Sequence, residues 1–399
     1  MSVIPRIVVL GGGFAGLTLC TQLDALASEG LAQVTLVERT PSMSVGGLNQ
    51  FVLRRQVHAS DVPMRYSGGT ELRCPSVRFL CDEVTDINVK EREVHTRSEV
   101  LDYDYLAIAT GATYAPEVIP GLATSAYNIC SLQDTLQLRD ALDRFQGGRI
   151  VMSIPQLPYK CPPAPQEFIL IVETLLREAG NGLREKTDLV FTTEAEGPFP
   201  LTTFFKKRFE DYGIRIVEFA PVKEVETNKK RLVFGTGRDG NCAEPMSFDL
   251  LMATFPLAAP SAFQSLCDDS RLIPSDPRSM RTEWDGVWAL GDCARMILTS
   301  GPMHPKAGGF AVVQAEALAE NLEALVRSDS KSDAGAENLG ISKCDAEVGN
   351  NEGAMVSVNL MGGPTSQFDL GPVTKEAVED KLQWIRDSLE VWFKKKPKF

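Results

Sequence analysis

The sequence predicts an α/β protein built from two Rossmann-like units and a C-terminal region that carries an amphipathic helix. Three observations lead to this fold class. An apolar run of strand length, Arg6–Leu10, leads directly into a glycine-rich turn and a helical pattern. A second strand, loop and helix begin near Gly148, and the segment from 375 to 393 places its apolar residues at helical spacing.

The first strand and turn have the spacing of a dinucleotide-binding loop. Gly11, Gly13 and Gly16 form a G-x-G-x-x-G pattern, and Glu38 follows the next strand, Val34–Val37. The glycines allow a tight turn and a close approach of a pyrophosphate, while the acid can accept from a ribose hydroxyl. The alternative is a glycine-rich turn in an unrelated α/β domain. The predicted cofactor residues of this unit are Gly11, Gly13, Phe14, Ala15, Gly16, Glu38 and Arg39.

Two later segments point to FAD rather than to a nicotinamide nucleotide. The segment 101–112 ends in Thr110-Gly111 and resembles the Ala-Thr-Gly stretch of disulfide-reductase-like flavoproteins. The segment 287–292 ends in Gly291-Asp292 and resembles their last FAD motif, whose Asp bonds the ribityl chain. Together, in this order, they imply that Thr110, Gly111, Gly291 and Asp292 contact FAD.

The second unit lacks the glycines that a second nucleotide would need. Its strand, Arg149–Ile154, leads into a loop that ends at Cys161 and contains two prolines, Pro155 and Pro158. Side chains and rigid prolines would obstruct a pyrophosphate there. A helix predicted over about 163–178 begins just after Cys161, and a helix N-terminus stabilises a thiolate. The alternative is a buried structural cysteine.

The segment from Lys160 to Glu167 resembles the redox-cysteine signature of sulfide:quinone oxidoreductases and of the flavoprotein subunit of flavocytochrome c sulfide dehydrogenase. The resemblance runs from residue 5 to about 365, and Gln166 replaces a tyrosine of the signature. It implies Cys344, before the predicted strand 354–360, as the disulfide partner of Cys161, and Cys130 as a third cysteine. The alternative for Cys344 is an ordinary surface cysteine on a loop.

Two charged residues complete the predicted catalytic set. His304-Pro305-Lys306-Ala307-Gly308 resembles the family segment that begins a helix pointing at the flavin, which implies Lys306 and Gly308 as cofactor residues. A cation there would stabilise an anionic reduced ring. Its alternative is a capping turn with a solvated lysine. Glu167 is a candidate proton carrier, and its alternative is an exposed glutamate at a helix start.

The function implied is FAD-dependent oxidation of sulfide through a Cys161–Cys344 disulfide and persulfide, with two electrons passed to a quinone. One alternative is a sulfide dehydrogenase that reduces a cytochrome c. Another is a type II NADH:quinone reductase, which needs the missing glycine loop. A third is a redox-inactive flavin-binding or sulfur-carrier protein. The segment 41–48 contains no cysteine that could hold a flavin covalently, so non-covalent FAD is expected.

The charge, the cysteine pattern and the lack of long apolar segments limit the binding partners and cellular locations that we expect for this chain. A formal charge of -12 argues against nucleic acid, and no metal is expected. The nine scattered cysteines do not resemble the framework of a small secreted domain. Without a signal peptide or an apolar run of spanning length, a cytoplasmic or peripheral membrane protein is expected, and a homo-oligomer is left open.

The expected organisation has three parts. Residues 1–146 and 255–328 form a discontinuous FAD-binding domain, 147–254 a second Rossmann-like domain, and 329–399 a C-terminal region after a polar linker over 328–333. The apolar face of the tail helix is followed by a basic run over 394–398. This pattern suits a membrane surface. The alternative is packing on its own domain or on a partner copy.

Overall fold

A computed structural model describes residues 4–328 and 334–399 of the chain. Residues 329–333 of the predicted linker lie outside the described residues. The helices are, in chain order, α1 (Phe14–Ser28), α2 (Asn49–Leu53), α3 (Leu122–Ser125), α4 (Leu132–Asp143), α5 (Ala164–Glu178), α6 (Thr202–Asp211), α7 (Gly308–Arg327) and α8 (Glu376–Trp392).

The strands, again in chain order, are β1 (Arg6–Leu10), β2 (Gln33–Glu38), β3 (Ser42–Ser44), β4 (Pro63–Arg65), β5 (Arg78–Cys81), β6 (Val84–Asn88), β7 (Glu93–Thr96), β8 (Val100–Asp102), β9 (Tyr105–Ile108), β10 (Thr113–Tyr114), β11 (Tyr127–Asn128), β12 (Gly148–Ile154), β13 (Thr187–Thr193), β14 (Ile214–Val217), β15 (Val222–Glu226), β16 (Arg231–Phe234), β17 (Met246–Ser247), β18 (Leu250–Ala253), β19 (Leu257–Ala258), β20 (Ile273–Pro274), β21 (Val287–Ala289), β22 (Ala294–Arg295), β23 (Ile341–Gly349), β24 (Glu352–Asn359) and β25 (Gln367–Leu370).

A parallel sheet in the order β21-β9-β1-β2-β5 carries the first nucleotide loop. Its central strand β1 is almost entirely buried, as is usual for the middle strand of a parallel sheet that is covered on both faces, and this explains its continuous apolar run. Helix α1 starts at the carboxyl end of β1 and packs against α7. The predicted first unit is therefore confirmed.

A second parallel sheet, in the order β11-β18-β12-β13-β14, repeats this arrangement. Here β12 takes the central place that β1 has in the first sheet, and the proline-rich loop follows its carboxyl end before α5 begins. Two Rossmann-like units are thus present. The short strand β11 joins this sheet from before residue 147, and the division into domains stays a prediction.

An antiparallel sheet of β23, β24 and β25 packs against α5 and α8. Strands β23 and β24 are joined by Asn350 and Asn351, whose φ angles of 58° and 56° suit a tight hairpin turn. Cys344 lies within β23, opposite Val356, and not on the loop of the surface-cysteine alternative. The hairpin places Cys344 on a regular element that faces α5.

The apolar face of the tail helix α8 is buried against the rest of the chain. Its members pack into the same core as the first sheet and are Val378, Leu382, Ile385, Leu389, Trp392 and the following Phe393. The expectation that this face meets a membrane is therefore wrong, and the alternative of packing on its own domain is confirmed. The predicted helix is present, but an amphipathic pattern does not determine which apolar surface covers the apolar face. No helix among the described residues has the length and apolarity needed to cross a membrane.

The segment after α8 is tied to the polar stretch near residue 70. Arg73 N donates to Trp392 O (2.9 Å), and Lys394 N donates to Glu71 O (2.8 Å). The Trp392 indole Nε1 donates to Thr18 Oγ1 of α1 (3.2 Å), and its ring meets Phe14 edge-on at 5.1 Å. The tail is thus part of the scaffold around the first nucleotide loop.

We expect Trp392→Ala to lower the free energy of unfolding by about 3–5 kcal/mol, since it removes a buried indole and leaves a cavity. Trp384 lies on the same helix and stacks on Phe14 at 6.1 Å, but it is 41% exposed. Trp384→Ala is therefore the matched control, with an expected loss of about 1 kcal/mol. Urea unfolding followed by fluorescence measures both, and equal losses would contradict this packing.

Candidate functional site

The three glycines of the first loop have three different surroundings. Gly11 has a φ of 102°, and a Cβ on it would lie 2.5 Å from Ala109 O. A Cβ on Gly16 would lie 1.8 Å from Gly11 O, so the close packing of α1 on β1 requires glycine there. A Cβ on Gly13 would meet nothing within 4 Å. Two glycines therefore serve the turn and the helix packing, while the third leaves open space at the start of α1.

Glu38 and Tyr66 fix the shape of this loop. The Glu38 carboxylate accepts from Gly12 N (2.7 Å) and Thr40 N (2.8 Å), which holds it at the carboxyl end of β2. Tyr66 donates its hydroxyl to Gly12 O (2.6 Å). Arg39, a predicted cofactor residue, is exposed, whereas Ala15 is buried within α1.

The other predicted FAD motifs meet beside this loop. The backbone of Thr110 lies next to Gly11, and Gly111 has a φ of 64°. Gly291 N donates to Gln314 Oε1 of α7 (2.8 Å), and the Asp292 carboxylate lies 3.6 Å from Lys160 Nζ. Lys160 Nζ also donates to Ala112 O (2.7 Å). Lys160 lies in the loop 155–163 between β12 and α5, which contains Cys161 and is called the cysteine loop below. This lysine therefore links the 110–112 turn to Asp292.

These residues fit an FAD. The first turn of α1 has no side-chain cap, so its N–H groups are directed at the open space beside Gly13, as an anionic pyrophosphate requires. Glu38 stands where a ribose hydroxyl would donate to it. Gly308 adjoins the ring of Phe14, where a Cβ would lie 2.9 Å from the ring. A larger residue at Gly308 would push into that aromatic contact.

The loop before α5 has no room for a second nucleotide. Tyr159 is buried, and its hydroxyl lies within hydrogen-bond distance of two carbonyl acceptors, Pro162 O (3.1 Å) and Phe199 O (3.2 Å). Gln166 is fully buried, and its amide also donates to Phe199 O (2.5 Å). These side chains occupy the place where a glycine loop would admit a pyrophosphate.

Cys161 is held in a strained conformation inside this loop. Its φ of 55° is in the left-handed region, which costs a residue other than glycine about 1–3 kcal/mol. Its amide donates to Lys306 O (2.7 Å), and its carbonyl accepts from Ala164 N (2.9 Å) as α5 begins. The cysteine loop and the segment before α7 are therefore joined at this residue.

The Cys161 thiol is not the low-pKa thiol that the nearby helix start led us to expect. Burial raises its pKa well above the usual range, and the Glu167 carboxylate raises it further. The charge of Lys381 acts in the opposite direction. Desolvation and a like charge outweigh the helix N-terminus, which begins at Ala164 rather than at Cys161.

Cys344 and Cys130 lie near Cys161, since ionisation of either one raises the pKa of its thiol. Part of Cys344 is exposed, yet the surrounding protein removes enough water from its thiol to raise the pKa to about 12, with Glu167 as the next cause. Burial raises the pKa of Cys130 to about 11, against the charge of Lys160. All nine cysteines, each within the described residues, are free thiols in this structure.

Lys306 and Glu167 are both buried, which excludes the solvated alternatives for them. Lys306 is 3% exposed, and its ammonium donates to Ala294 O. Burial lowers its pKa to about 8, although Asp292 and Cys293 favour the charged form. Glu167 is 1% exposed, and its carboxylate accepts from Glu347 N (2.8 Å).

Sequence reasoning missed a set of buried charged and polar residues around Glu167. Lys381 of α8 forms an ion pair with Glu167 (2.5 Å), and Arg54 forms one with Glu347 (2.5 Å). Lys381 lies in the tail helix, whose pattern suits a membrane surface, and Arg54 lies just after α2, in a segment with no predicted site residue. The one available signal was Lys381 itself, a charge directly before Leu382 of the apolar face.

Two family models match the chain. Residues 5–152 match "Pyridine nucleotide-disulphide oxidoreductase", and residues 135–240 match "Sulfide dehydrogenase [flavocytochrome c] flavoprotein chain, central". The second match covers the cysteine loop and α5. The expected relation to flavoproteins, and with it the expectation of FAD, is therefore supported.

Two curated relatives are named "Sulfide:quinone oxidoreductase, mitochondrial". The protein of Mus musculus is 26% identical, and that of Dictyostelium discoideum is 24% identical. Each match covers 73% of this chain and 66% of the relative, so it spans just under two thirds of the relatives' own length.

A solved structure shares the fold over nearly the whole chain. The sulfide:quinone oxidoreductase of Aquifex aeolicus has a TM-score of 0.78 at 18% identity, and the match covers 95% of this chain and 89% of that one. In sequence and fold the chain is therefore similar to disulfide-reductase-like flavoproteins, among them the sulfide:quinone oxidoreductases and the flavocytochrome c sulfide dehydrogenase flavoproteins.

Proposed function

We propose that this protein is an FAD-dependent oxidoreductase that oxidises sulfide at Cys161 and Cys344 and passes two electrons to a quinone. The observation that carries the proposal is the strained, half-buried Cys161, which lies in the loop between β12 and α5, where a nicotinamide-binding relative needs glycines. Cys344 lies close enough for its charge to act on Cys161. The names of the curated relatives support sulfide and a quinone as the substrates.

The proposed chemistry begins from a Cys161–Cys344 disulfide. Hydrosulfide attacks one sulfur, the disulfide bond breaks, and a new sulfur–sulfur bond forms a persulfide, while the other cysteine leaves as a thiolate. The negative charge that enters with hydrosulfide stays on this thiolate, so charge and electrons balance. By the family resemblance, we assign the thiolate to Cys161 and the persulfide to Cys344.

The chain's own residues prepare this step. Glu167 is held in place by Glu347 N and Lys381, and its buried carboxylate raises the pKa of both thiols. We therefore assign Glu167 as the group that accepts the proton of the persulfide. Lys306 supplies a buried cation between the cysteine loop and Asp292. FAD, when bound, would take up the two electrons and release them to the quinone.

The FAD is proposed to be held non-covalently, because the segment 41–48 offers no cysteine for attachment. The quinone is lipid-soluble, so we propose contact with a membrane surface. The buried face of α8 does not provide this contact, but Trp384 and Val391 of α8 are exposed, and the basic run 394–398 follows.

The cysteines are tested by anaerobic addition of sulfide to the flavin-loaded protein. We expect the wild type to lose its oxidised-flavin absorbance. The Cys161→Ser and Cys344→Ser variants should lose it about 100-fold more slowly or not at all, because neither variant can form the disulfide. Cys242, an exposed cysteine outside the site, gives the matched control, and Cys242→Ser should behave like the wild type.

The proposal fails if sulfide leaves the wild-type flavin oxidised or if Cys161→Ser is reduced at the wild-type rate. NADH is added in a parallel sample and should leave the flavin oxidised, since the second unit has no glycine loop. Rapid bleaching by NADH would instead favour an NADH:quinone reductase.

The acceptor is tested by steady-state turnover with sulfide and either a short-chain quinone or cytochrome c. We expect turnover with the quinone and at least about 10-fold less turnover with cytochrome c. The reduced flavin carries two electrons, which a quinone accepts together, whereas a cytochrome c accepts only one. The full chain is required, since removal of residues 375–399 would delete buried Trp392 and Lys381. Preference for cytochrome c would contradict the assignment.

Lys306 gives a pH dependence whose direction is fixed by its lowered pKa. Because that pKa is about 8, the ammonium is present at lower pH and lost as the pH rises further. At saturating sulfide, we expect the rate of flavin reduction in the wild type to fall above about pH 8. The Lys306→Met variant should lack this decline, and its rate at neutral pH should be about 10–100-fold lower than that of the wild type. Stopped-flow absorbance measures both profiles. Lys306→Arg keeps the charge and should shift the decline out of this range, whereas an unchanged decline in Lys306→Met would contradict the assignment.

A further inference from the structure

Two buried ion pairs lie next to each other beside the cysteines. Lys381 Nζ of α8 is 2.5 Å from Glu167 Oε1 of α5, with side chains 13% and 1% exposed. Arg54, just after α2, is 2.5 Å from Glu347 Oε2 of β23, with side chains 5% and 1% exposed. Since Glu347 N also donates to Glu167 Oε1 (2.8 Å), the pairs form one buried cluster.

Gln50 of α2 holds the first pair from its other side. With its amide oxygen turned towards the ammonium, it accepts from Lys381 Nζ, while its nitrogen donates to Glu167 Oε2 (3.2 Å). The Lys381 ammonium is therefore fixed between α2 and α5. A lysine with a free, mobile head group would not keep a constant distance from the cysteines.

The cluster is neutral only while both cysteines are uncharged. Two carboxylates face two cations, so a thiolate on Cys161 or Cys344 adds one uncompensated buried negative charge. Glu167 raises the pKa of both thiols, and Lys381 lowers the pKa of both. The charge of Arg54 acts instead on Glu347. Lys381 is thus the cation of this cluster that favours a thiolate.

We propose that Lys381 is a positioning residue for the cysteine pair: its ammonium, fixed by Glu167 and Gln50, provides the positive charge that stabilises the thiolate released when the Cys161–Cys344 disulfide opens. The inference rests on the proposed function and deepens it. The tail helix, whose sequence pattern suits a membrane surface, thereby contributes a residue to the electrostatics of the proposed redox site.

The other charged groups that face Lys381 and the thiols do not replace it. Asp345 of β23 and Asp380 of α8 add negative charge near the pair, and Glu347 favours the ammonium of Lys381 itself. Lys160, the cation near Cys130, contacts Asp292 and Ala112 on the other side of the cysteine loop. Removal of Lys381 would therefore leave Glu167 and a thiolate together without a compensating cation.

The test uses the full-length, flavin-loaded protein with its cysteines reduced. Iodoacetamide alkylation of Cys161 and Cys344 is followed peptide by peptide by mass spectrometry between about pH 7 and 9.5. Below the thiol pKa, the rate is proportional to the thiolate fraction. The charge of Lys381 lowers the pKa of Cys161, and a nearby opposite charge shifts a pKa by about 1–3 units, so we expect Lys381→Met to slow alkylation of Cys161 at least ~10-fold.

Lys381→Arg keeps the charge and should retain a rate within about 3-fold of the wild type. Lys375 lies just before α8 and provides the matched control, and Lys375→Met should leave both cysteines unchanged. The double variant Lys381→Met with Glu167→Gln removes both charges of the pair. It should restore most of the alkylation rate, because the uncompensated carboxylate is gone, and it also provides a neutral cluster if Lys381→Met alone folds poorly.

The inference is overturned if Lys381→Met alkylates at the wild-type rate, if Lys375→Met slows it equally, or if the double variant is as slow as Lys381→Met. These outcomes are independent of sulfide oxidation. A wild-type flavin that sulfide does not reduce would refute the proposed function, while slow alkylation in Lys381→Met would still support the role of Lys381 at the thiols.

Discussion

The ion pair between Lys381 and Glu167 connects the parts of the chain that form the proposed redox site. Charges buried this deeply are costly unless each is paired, so α2, α5, β23 and α8 have to assemble around the same cluster. Cys161 lies before α5, and Cys344 lies on β23. The requirement to pair four charges therefore also fixes where the two cysteines stand.

The tail helix connects this cluster to the nucleotide loop. Lys381, near one end of α8, pairs with Glu167, while Trp392 at the other end donates to Thr18 of α1 and contacts Phe14. A single rigid helix thus spans the two halves of the site. The strain at Cys161 is maintained by the same surroundings, because its amide is bound by Lys306 O and its loop is filled by Tyr159 and Gln166.

Much of the site was predictable because its signals are local. Close backbone contacts require glycine at Gly11 and Gly16 of the predicted loop, and Cys161 lies between β12 and α5 as expected. The tail helix was found by its period, but its apolar face is buried on its own chain and not free for a membrane. The pKa of the Cys161 thiol also differs from the expectation, since burial depends on residues far apart in sequence.

The sequence by itself determined the two Rossmann-like units, the flavin motifs and the absence of a second glycine loop, because each follows from short-range spacing and backbone sterics. Only the tertiary structure decided that Lys381, Glu347, Arg54 and Gln50 surround Glu167. Together with Glu167, these residues come from four separate segments, α2 with the residue after it, α5, β23 and α8, and no sequence periodicity relates the four segments. What brings them together is the cost of burying a charge without its partner, which operates only once the chain has folded.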